Sequence, residues 1–256
     1  MIMYESPIWA GSVTPKSDKI IRRVQRKLAT KVVWGYRTIS HDIALALAGM
    51  VPFGILAAAD AKEYKQIQAL RGSVGSLTRV EKTQIRKKEQ QNARNRWKQI
   101  LFNKKSNNRV IAAVLAHWDQ WLDRGAGTFT YRVTQIITGH GCFGEYLHRI
   151  GTEQTPACQE CDAKVDSAQH VLEVCRFQEQ RQVLKDTGND TSLTDIVGVL
   201  VEEESGRMAI IRFCEEVMAT KEITERSRET CDPARRERRR AKVKTGRRAR
   251  SNTLPT

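Results

Sequence analysis

Apolar residues recur three or four positions apart along most of the chain, and this spacing predicts a mainly α-helical fold. Ser17 is a candidate N-cap for the first helix, whose other faces carry Lys and Arg. Ser40 and Asp42 open a short Ala-rich helix that ends near Gly49, and its lack of a polar face predicts burial. The apolar positions of the first, basic amphipathic helix are Ile21, Val24, Leu28 and Val32.

A flexible joint is predicted between two longer helices. Residues 53–70 form the first of them, and the Gly and Ser residues within 72–76 form the joint, where we expect a domain boundary. Thr78 and Glu81 match a capping box, which starts a polar helix that extends to about Phe102. Because this second helix has few apolar positions, we expect a long, basic, exposed or bridging arm.

The strongest periodic apolar pattern follows Asn108 and contains two tryptophans. A buried helix face explains Trp118 and Trp121 better than a platform for stacking bases. Shorter helices are predicted around residues 133–138 and 143–150. The periodic positions after Asn108 are Val110, Ile111, Val114, Leu115, Trp118, Trp121 and Leu122.

The C-terminal part is predicted to hold two more helices and a tail. Ser192 and Asp195 begin the first of these helices. Beyond Glu225 the chain has almost no apolar residues to offset the entropy lost on ordering, so the tail, residues 226–256, is predicted to be disordered. The last amphipathic helix is marked by Ile210, Ile211, Cys214, Val217 and Met218, with Cys214 in the core.

Charge changes this picture from an ordinary helical protein to a candidate polyanion binder. The chain carries 44 Lys and Arg against 29 Asp and Glu, a formal net charge of +15. The excess lies in three strips, residues 16–37, 79–109 and 235–250, and the remainder of the chain is mildly acidic. Solvated surface charge is the plain alternative for each strip, but three strips together favour a polyanionic partner.

The composition also bears on the compartment. No uncharged apolar run of about 18 residues is present, so the sequence predicts no membrane-spanning segment and no membrane partner. The first residues lack the basic and apolar regions of a secretion signal, and an intracellular, reducing compartment is therefore expected. Six cysteines in such a compartment are metal ligands, buried apolar residues or reactive thiols rather than disulfides.

Four residues form a candidate metal site with C-x2-C-x8-H-x4-C spacing: Cys158, Cys161, His170 and Cys175. Two cysteines in a tight turn reach one ion, and a helix over residues 168–174 would point His170 inward with Cys175 one turn later. Three thiolates and one imidazole complete a tetrahedron around Zn²⁺, so the pattern predicts a structural zinc site. The alternative is four unrelated residues in a chain with 6 Cys and 5 His.

The run Thr138 to Phe143 contains a second pair of reactive residue types. By residue type, Cys142 could be a nucleophile and His140 its base, but their spacing supplies no third, orienting residue. Gly139 and Gly141 more simply permit a sharp turn between helices, with His140 capping or packing there.

Five segments of the chain match one known family in the right order over about residues 3–225. They are YESPIWA from Tyr4, RRVQRKLATKVVWGYRTIS from Arg22, ALALAGMVP from Ala44, TQIITGHGCFGEYLHRIG from Thr134, and the cysteine cluster with Phe177. Together they resemble the C-terminal third of non-LTR (type-1) retrotransposon Pol polyproteins, particularly the arthropod group whose elements insert into ribosomal RNA genes.

The resemblance implies a domain order and a role. Residues 1–71 would be the remnant of a reverse-transcriptase thumb, 78–130 a helical linker, 131–225 a small helical CCHC zinc region that binds nucleic acid, and 226–256 the disordered basic tail. The parent polyprotein would be an RNA-directed DNA polymerase with an endonuclease. This part of it would act in RNA-templated DNA synthesis and insertion at the target site.

The sequence departs from the family pattern in four respects. The polymerase centre holds Mg²⁺ through paired aspartates, and this chain contains no Asp-Asp dipeptide, so any Mg²⁺ belongs to a centre that is missing here. A start within the thumb leads us to expect a fragment or a decayed copy. The stretch from Trp121 to Tyr131 is shorter than in the family, and Glu5 replaces a glycine, which strains that turn if positive φ is needed.

The expected partners are RNA and DNA, held through phosphate contacts, together with the remainder of the reverse transcriptase if it is present. The residues expected to line the thumb are Arg22, Arg23, Arg26 and Lys27. Those that extend the track are Lys82, Arg86, Lys87 and Lys88. Those of the tail that add sequence-independent affinity are Arg235, Arg236, Arg238, Arg239 and Arg240.

Two other functions remain as alternatives. A nuclease that nicks with Mg²⁺ needs a carboxylate cluster, for which the candidates are Asp119, Asp123, Asp162 and Asp166. A non-catalytic protein-binding scaffold would use the tail as a nuclear import signal, because Arg235–Arg240 is a basic run of that type. A nuclear location is expected in either case.

Overall fold

The fold is mainly α-helical, as the spacing of apolar residues predicted. The computed structural model describes residues 3–105, 108–124, 129–186, 191–202, 204–232, 234, 235 and 237, and this part of the chain contains helices and no strand. The chain divides into two compact units, Met1–Gly127 and Thr128–Thr256. The first unit contains a 3-10 turn, Ala10–Ser12, and seven described helices: α1 (Ser6–Trp9), α2 (Pro15–Val32), α3 (His41–Ala48), α4 (Phe53–Val74), α5 (Arg79–Phe102), α6 (Arg109–Ala116) and α7 (Trp118–Asp123).

The second unit carries the cysteine cluster and is also built from helices. A turn rich in glycine joins its first two helices, and a long C-terminal helix closes it. Its described helices are α8 (Tyr131–Thr138), α9 (Gly144–Arg149), α10 (Ala168–Glu173), α11 (Gln178–Asp186), α12 (Leu193–Val199) and α13 (Glu204–Cys231).

The predicted joint at residues 72–76 lies inside the first unit. Helices α4 and α5 pack against each other on either side of Gly75, and Gln66 donates a hydrogen bond of 2.9 Å to Glu89. The division between the compact units falls instead at Gly127 and Thr128. A glycine-rich turn therefore reverses the chain here without separating two cores.

Capping residues mark most helix starts where the sequence indicated them. Thr78 and Glu81 form the predicted capping box of α5, and Ser40 caps α3. Helix α2 differs from the prediction: Thr14 is its N-cap, and the predicted cap Ser17 is the N3 residue that completes the capping box with Thr14. Pro15 at the first helical position explains this earlier start, since its fixed φ suits that position and its missing N–H needs no partner there.

The core of the first unit contains the two predicted tryptophans. Trp118 is 2% exposed and Trp121 is 0% exposed, so the buried interpretation of this pattern is confirmed. The indole N–H of Trp121 donates to the carbonyl of Ala46 at 2.8 Å, which ties α7 to the buried helix α3. Arg124 lies over the Trp121 ring at 3.9 Å, and burial lowers the pKa of its guanidinium to about 10.

Three local expectations need correction or comment. The periodic segment after Asn108 is two helices rather than one, because His117 leaves helical geometry between α6 and α7. Residues 226–231, predicted to be disordered, belong to α13. Glu5 adopts φ 50°, so the turn that holds it does use the left-handed region in which a glycine is favoured.

No single helix in the described residues is long and apolar enough to cross a membrane. One bent pair of helices, His41–Ala48 with Phe53–Gly72, is together long and apolar enough to cross a membrane by length and composition alone.

Candidate metal centre and basic surface

The four predicted metal ligands converge in the second unit. The ligand atoms of Cys158, Cys161, His170 and Cys175 all lie within 4.8 Å of one another. The described part of the chain holds no other group of three or more His, Cys, Asp or Glu side chains so placed. The interpretation of these residues as four unrelated side chains is therefore not supported by their positions.

Local structure explains how the chain brings these ligands together. A turn carries the first two cysteines, and the N–H of Cys158 donates to the carbonyl of Ala163 at 2.9 Å. Ser167 caps α10 by accepting from the N–H of His170 at 3.1 Å. Helix α10 ends at Glu173, so Cys175 lies in the turn after the helix, with its N–H bonded to the carbonyl of His170 at 2.9 Å.

The distances between ligand atoms suit a tetrahedral ion. Zn–S bonds of about 2.3 Å and a Zn–N bond of about 2.0 Å place two sulfurs about 3.8 Å apart and a sulfur and nitrogen about 3.5 Å apart. The Sγ atom of Cys175 lies 3.8 Å from that of Cys158 and 4.0 Å from that of Cys161, and His170 Nε2 lies 3.2 Å from Cys161 Sγ. The sulfurs are too far apart for disulfides, which need about 2.05 Å, and the cysteines are free thiols.

Burial sets the protonation of these groups when no cation is bound. It raises the pKa of the Cys175 thiol to about 12, with a further contribution from the neighbouring Cys158. It also raises the pKa of Cys158 and lowers the pKa of His170. A cation bound here would therefore displace protons from thiols, while the imidazole is already in its neutral, ligating form.

The glycine-containing run before the cluster packs directly onto the cysteine loop. A Cβ atom at Gly144 would lie 2.7 Å from the carbonyl oxygens of Pro156 and Ala157, so only glycine allows this approach. The N–H of Gly144 donates to Asp166 Oδ2 at 2.8 Å, and the N–H of Glu145 donates to the carbonyl of Asp166 at 3.0 Å. The start of α9 and the loop that carries the ligands therefore hold each other in place.

His140 and Cys142 take structural positions in this turn. Gly139 and Gly141 both have positive φ, 65° and 140°, as a sharp turn between α8 and α9 requires. The His140 ring stacks on Tyr146 with centroids 4.7 Å apart. Burial, and then the charge of Arg149, lower the pKa of His140 to about 4.

An ion pair and a hydrogen bond join the cysteine loop to α13, and sequence reasoning missed both. Lys221 pairs with Asp166 inside the protein. Glu160, between the first two ligands, pairs with Arg176 and accepts from Thr224 at 2.9 Å. These partners lie up to 64 residues apart, and no local pattern marks them.

A second set of pairs explains why α13 extends past Glu225. Arg228 pairs with Glu153 at 3.1 Å, and Arg235 pairs with both Glu153 and Glu225. Arg235 is 1% exposed, so this arginine is a structural residue and not the tail contact that the sequence predicted. Arg236, Arg238, Arg239 and Arg240 lie outside the described residues.

The basic residues of α2 have different environments. Arg23 and Lys27 are exposed, and Arg22 lies 3.8 Å from Asp42 while still half exposed. Arg26 is engaged within the protein: its Nε donates to the carbonyl of Ile39 at 2.9 Å, and its Nη2 donates to the carbonyls of Ile39 and Arg37. Arg26 therefore holds the segment after α2 in place through these hydrogen bonds.

The basic residues of α5 lie mainly on its exposed faces. Arg86, Lys87 and Lys88 are exposed, and Lys82 is half-buried. Further along the helix, Arg94 pairs with Asp123 at 2.9 Å.

Two of the four aspartates that a nuclease would need lie in the first unit and two in the second. In the first unit, Asp119 lies 3.9 Å from Lys98, and Asp123 forms an ion pair with Arg94. Asp166 is buried against Lys221 in the second unit, and Asp162 is exposed on the cysteine loop.

Sequence comparison with known proteins supports a protein derived from a retrotransposon. The chain is related to the Pol polyproteins of type-1 retrotransposable elements, as the sequence predicted. It is 24% identical over 224 residues to the retrovirus-related Pol polyprotein from type-1 retrotransposable element R1 4 of Nasonia vitripennis, a match that spans 82% of this chain and 52% of the relative. It is 22% identical over 182 residues to that of element R1 of Popillia japonica, which spans 71% of this chain and 68% of the relative.

The chain thus spans about half the length of the first of these relatives. No family model matches it, and no solved structure matches it.

Proposed function

We propose that this chain is a nucleic-acid-binding part of a retrotransposon reverse-transcriptase polyprotein. It would hold RNA or DNA through phosphate contacts during RNA-templated DNA synthesis and insertion, while another part of the polyprotein performs polymerisation. The observation that carries the proposal is the set of exposed cations on α2 and α5 in a chain related to Pol polyproteins. Arg22 is exposed but lies 3.8 Å from Asp42, and the other five exposed predicted contacts on these helices are Arg23, Lys27, Arg86, Lys87 and Lys88.

Phosphate contacts of this kind have a measurable signature. Each phosphate neutralised on duplex DNA lowers the slope of log K against log salt by about 0.9, and on single strands by about 0.7. If the five exposed residues all engage a duplex, the slope is about −4.5. The experiment measures the affinity of the full chain for mixed-sequence DNA and RNA across a range of salt concentrations. A flat dependence contradicts the proposal.

The cysteine cluster is proposed to hold one structural Zn²⁺. Cys158, Cys161, His170 and Cys175 supply four ligands and leave no open position, so the ion would stabilise the fold and carry out no chemistry. Its place in the function is indirect, because the loop that holds these ligands is joined to α13 by the Asp166–Lys221 ion pair and by the hydrogen bond from Thr224 to Glu160. Zinc would therefore order the second unit as a rigid body.

Metal analysis of the purified chain tests the zinc site. We expect one zinc per chain, and loss of that zinc in Cys161→Ser. Cys231→Ser is the matched control, since this thiol is exposed and lies outside the cluster. Full zinc occupancy in Cys161→Ser, or none in the unaltered chain, contradicts the assignment.

A nuclear location is also proposed, because the basic tail has the composition of an import signal. Deletion of residues 236–250 is expected to abolish nuclear entry of a fluorescent fusion. If nucleic-acid affinity is unchanged in the deletion, the tail serves as an address and α2 and α5 supply the binding. Unchanged nuclear entry contradicts this part of the proposal.

A further inference from the structure

Trp34 occupies a backbone position that usually belongs to glycine. Helix α2 ends in a Schellman motif, in which the N–H of Trp34 bonds to the carbonyl of Lys31 at 3.2 Å and the N–H of Gly35 bonds to that of Thr30 at 2.8 Å. The residue after the C-cap takes the left-handed conformation in this motif, and Trp34 has φ 53°. A bulky side chain is disfavoured there, because its Cβ crowds the backbone. The neighbouring glycine, Gly35, lies one position after this left-handed residue.

Burial of the indole does not compensate for this strained backbone. Trp34 is 64% exposed, whereas Trp97, Trp118 and Trp121 are each at most 2% exposed. A tryptophan normally stabilises a fold by removing its large ring from water. The backbone at position 34 is therefore strained, and the exposed indole adds little packing that would offset this strain. This combination indicates that the ring binds a partner.

The segment that presents Trp34 is held firmly. Val33 and Ile39 on either side are fully buried, and Arg26 donates from α2 to the carbonyls of Arg37 and Ile39. The ring thus projects from a braced turn at the end of a helix. An aromatic ring that is ordered in advance loses less entropy on binding than one on a free loop.

The charge around Trp34 is positive. Lys27 and Lys31 are exposed on the last turns of α2, Arg37 is exposed three residues after the tryptophan, and the chain has no acidic residue between Asp18 and Asp42. A nucleotide satisfies both features at once, because its base offers a flat face to the indole and its phosphate offers negative charge to the cations. An apolar protein surface would match the ring but not the cations.

We propose that Trp34 stacks on an unpaired base of the nucleic acid whose phosphates lie along the basic face of α2. This inference rests on the proposed function and adds to it a preference for single strands or for strand ends. Stacking of one base on an aromatic side chain strengthens binding by about 5- to 150-fold. Base stacking requires no particular sequence, so the preference concerns structure and not base identity.

The test compares Trp34→Gly and Trp34→Phe in the full chain. Its probes are a mixed-sequence single-stranded oligonucleotide and relaxed closed-circular duplex DNA, which has no ends. Trp34→Gly is expected to raise Tm by a few degrees, since it relieves the left-handed strain, and to weaken single-strand binding at least 5-fold with an unchanged salt slope. Its duplex affinity is expected to stay the same. Trp34→Phe keeps most of the single-strand affinity.

Tryptophan fluorescence supplies a second readout. Because Trp34 is the most exposed tryptophan of the described residues, the oligonucleotide is expected to quench the unaltered chain and Trp9→Phe, but not Trp34→Phe. Equal single-strand affinity in Trp34→Gly overturns the stacking proposal and points to a protein partner for the ring. If Lys27→Gln still makes the slope of log K against log salt less negative in that case, the proposed function stands without the stacking proposal. If the unaltered chain binds neither probe at low salt, both proposals fail.

Discussion

Lys221 Nζ lies 2.8 Å from Asp166 Oδ2, and both side chains are 3% exposed. Asp166 stands in the loop between the second and third candidate metal ligands, and Lys221 stands on α13, 55 residues further along the chain. The same carboxylate accepts the N–H of Gly144 at 2.8 Å. One buried carboxylate therefore joins α9, the cysteine loop and the C-terminal helix.

Removing one partner of this pair should strongly destabilise the second unit. Lys221→Met leaves the Asp166 carboxylate buried without its counter-charge, which costs about 3–5 kcal/mol. Urea unfolding followed by circular dichroism, with hydrogen exchange in α13, measures the loss. The matched control is Arg212→Met on the same helix, whose solvent-exposed pair with Glu216 should contribute little to stability. Equal effects of the two substitutions would contradict the buried role of Lys221.

Gly144→Ala should destabilise the second unit, because the new methyl group would meet two backbone carbonyl oxygens. Overpacking of this kind costs about 1–3 kcal/mol, and the displaced cysteine loop should also release zinc more easily to a chelator. Gly72→Ala is the control: it lies in α4 with nothing within 4 Å of the added Cβ. That substitution should stabilise the chain by about 0.5–1 kcal/mol. The same sign for both substitutions would exclude the close approach at Gly144.

Arg26 and Lys27 are neighbours in sequence, but substitution of Arg26 should affect stability and substitution of Lys27 should affect nucleic-acid binding. Arg26→Met leaves the carbonyls of Arg37 and Ile39 without their donor and should cost about 1–3 kcal/mol of stability. Lys27→Met should change stability by less than about 0.5 kcal/mol and reduce the salt slope of nucleic-acid binding by about 1. Unfolding followed by tryptophan fluorescence reports on the first unit, because all 5 tryptophans precede residue 128. A stable Arg26→Met chain with a reduced slope would instead make Arg26 a phosphate contact.

His140 should make the second unit less stable at mildly acidic pH. Its pKa in the folded chain is about 4, whereas an unfolded chain has about 6.5. The unfolded state therefore binds the proton first, so this contribution to stability is complete above about pH 6.5 and falls as the pH drops from there towards 4. His140→Phe keeps a ring against Tyr146 and removes the titration.

The measurement is the difference in urea midpoint between the unaltered chain and His140→Phe from neutral to acidic pH. Because both proteins keep His170 and the cysteines, effects of zinc loss cancel to first order. As the pH falls below about 6.5, the urea midpoint of the unaltered chain should decrease relative to that of His140→Phe. A difference that is independent of pH would show that burial does not lower the pKa of His140.

Local features of the sequence predicted the helices and the metal ligands. The capping box at Thr78 depends on residues three positions apart, and the four ligands are contained within 18 residues, Cys158 to Cys175. Interactions over such short separations do not need the rest of the fold. The same holds for the buried Trp118 and Trp121, which the periodic apolar pattern identified.

The failures of prediction that bear on nucleic-acid binding concern charged residues. Sequence placed Arg26 and Arg235 among the phosphate contacts and ended the ordered chain at Glu225. In the structure Arg26 holds backbone carbonyls, and Arg235 pairs with Glu153 and Glu225 at the end of α13. The periodicity of apolar residues does not predict which acidic and basic side chains pair, because ion pairs between distant residues follow no regular spacing in the sequence.

The sequence by itself determined the helical class, the candidate ligand set at Cys158 to Cys175 and the relationship to Pol polyproteins. Tertiary structure alone decided which cations are available to a partner, joined Lys221 to Asp166, and left Trp34 exposed on a left-handed backbone. The physical reason is the range of the interactions. Helix formation and metal ligation use residues within a few turns, whereas the state of a charge or an exposed ring depends on what distant parts of the chain place beside it.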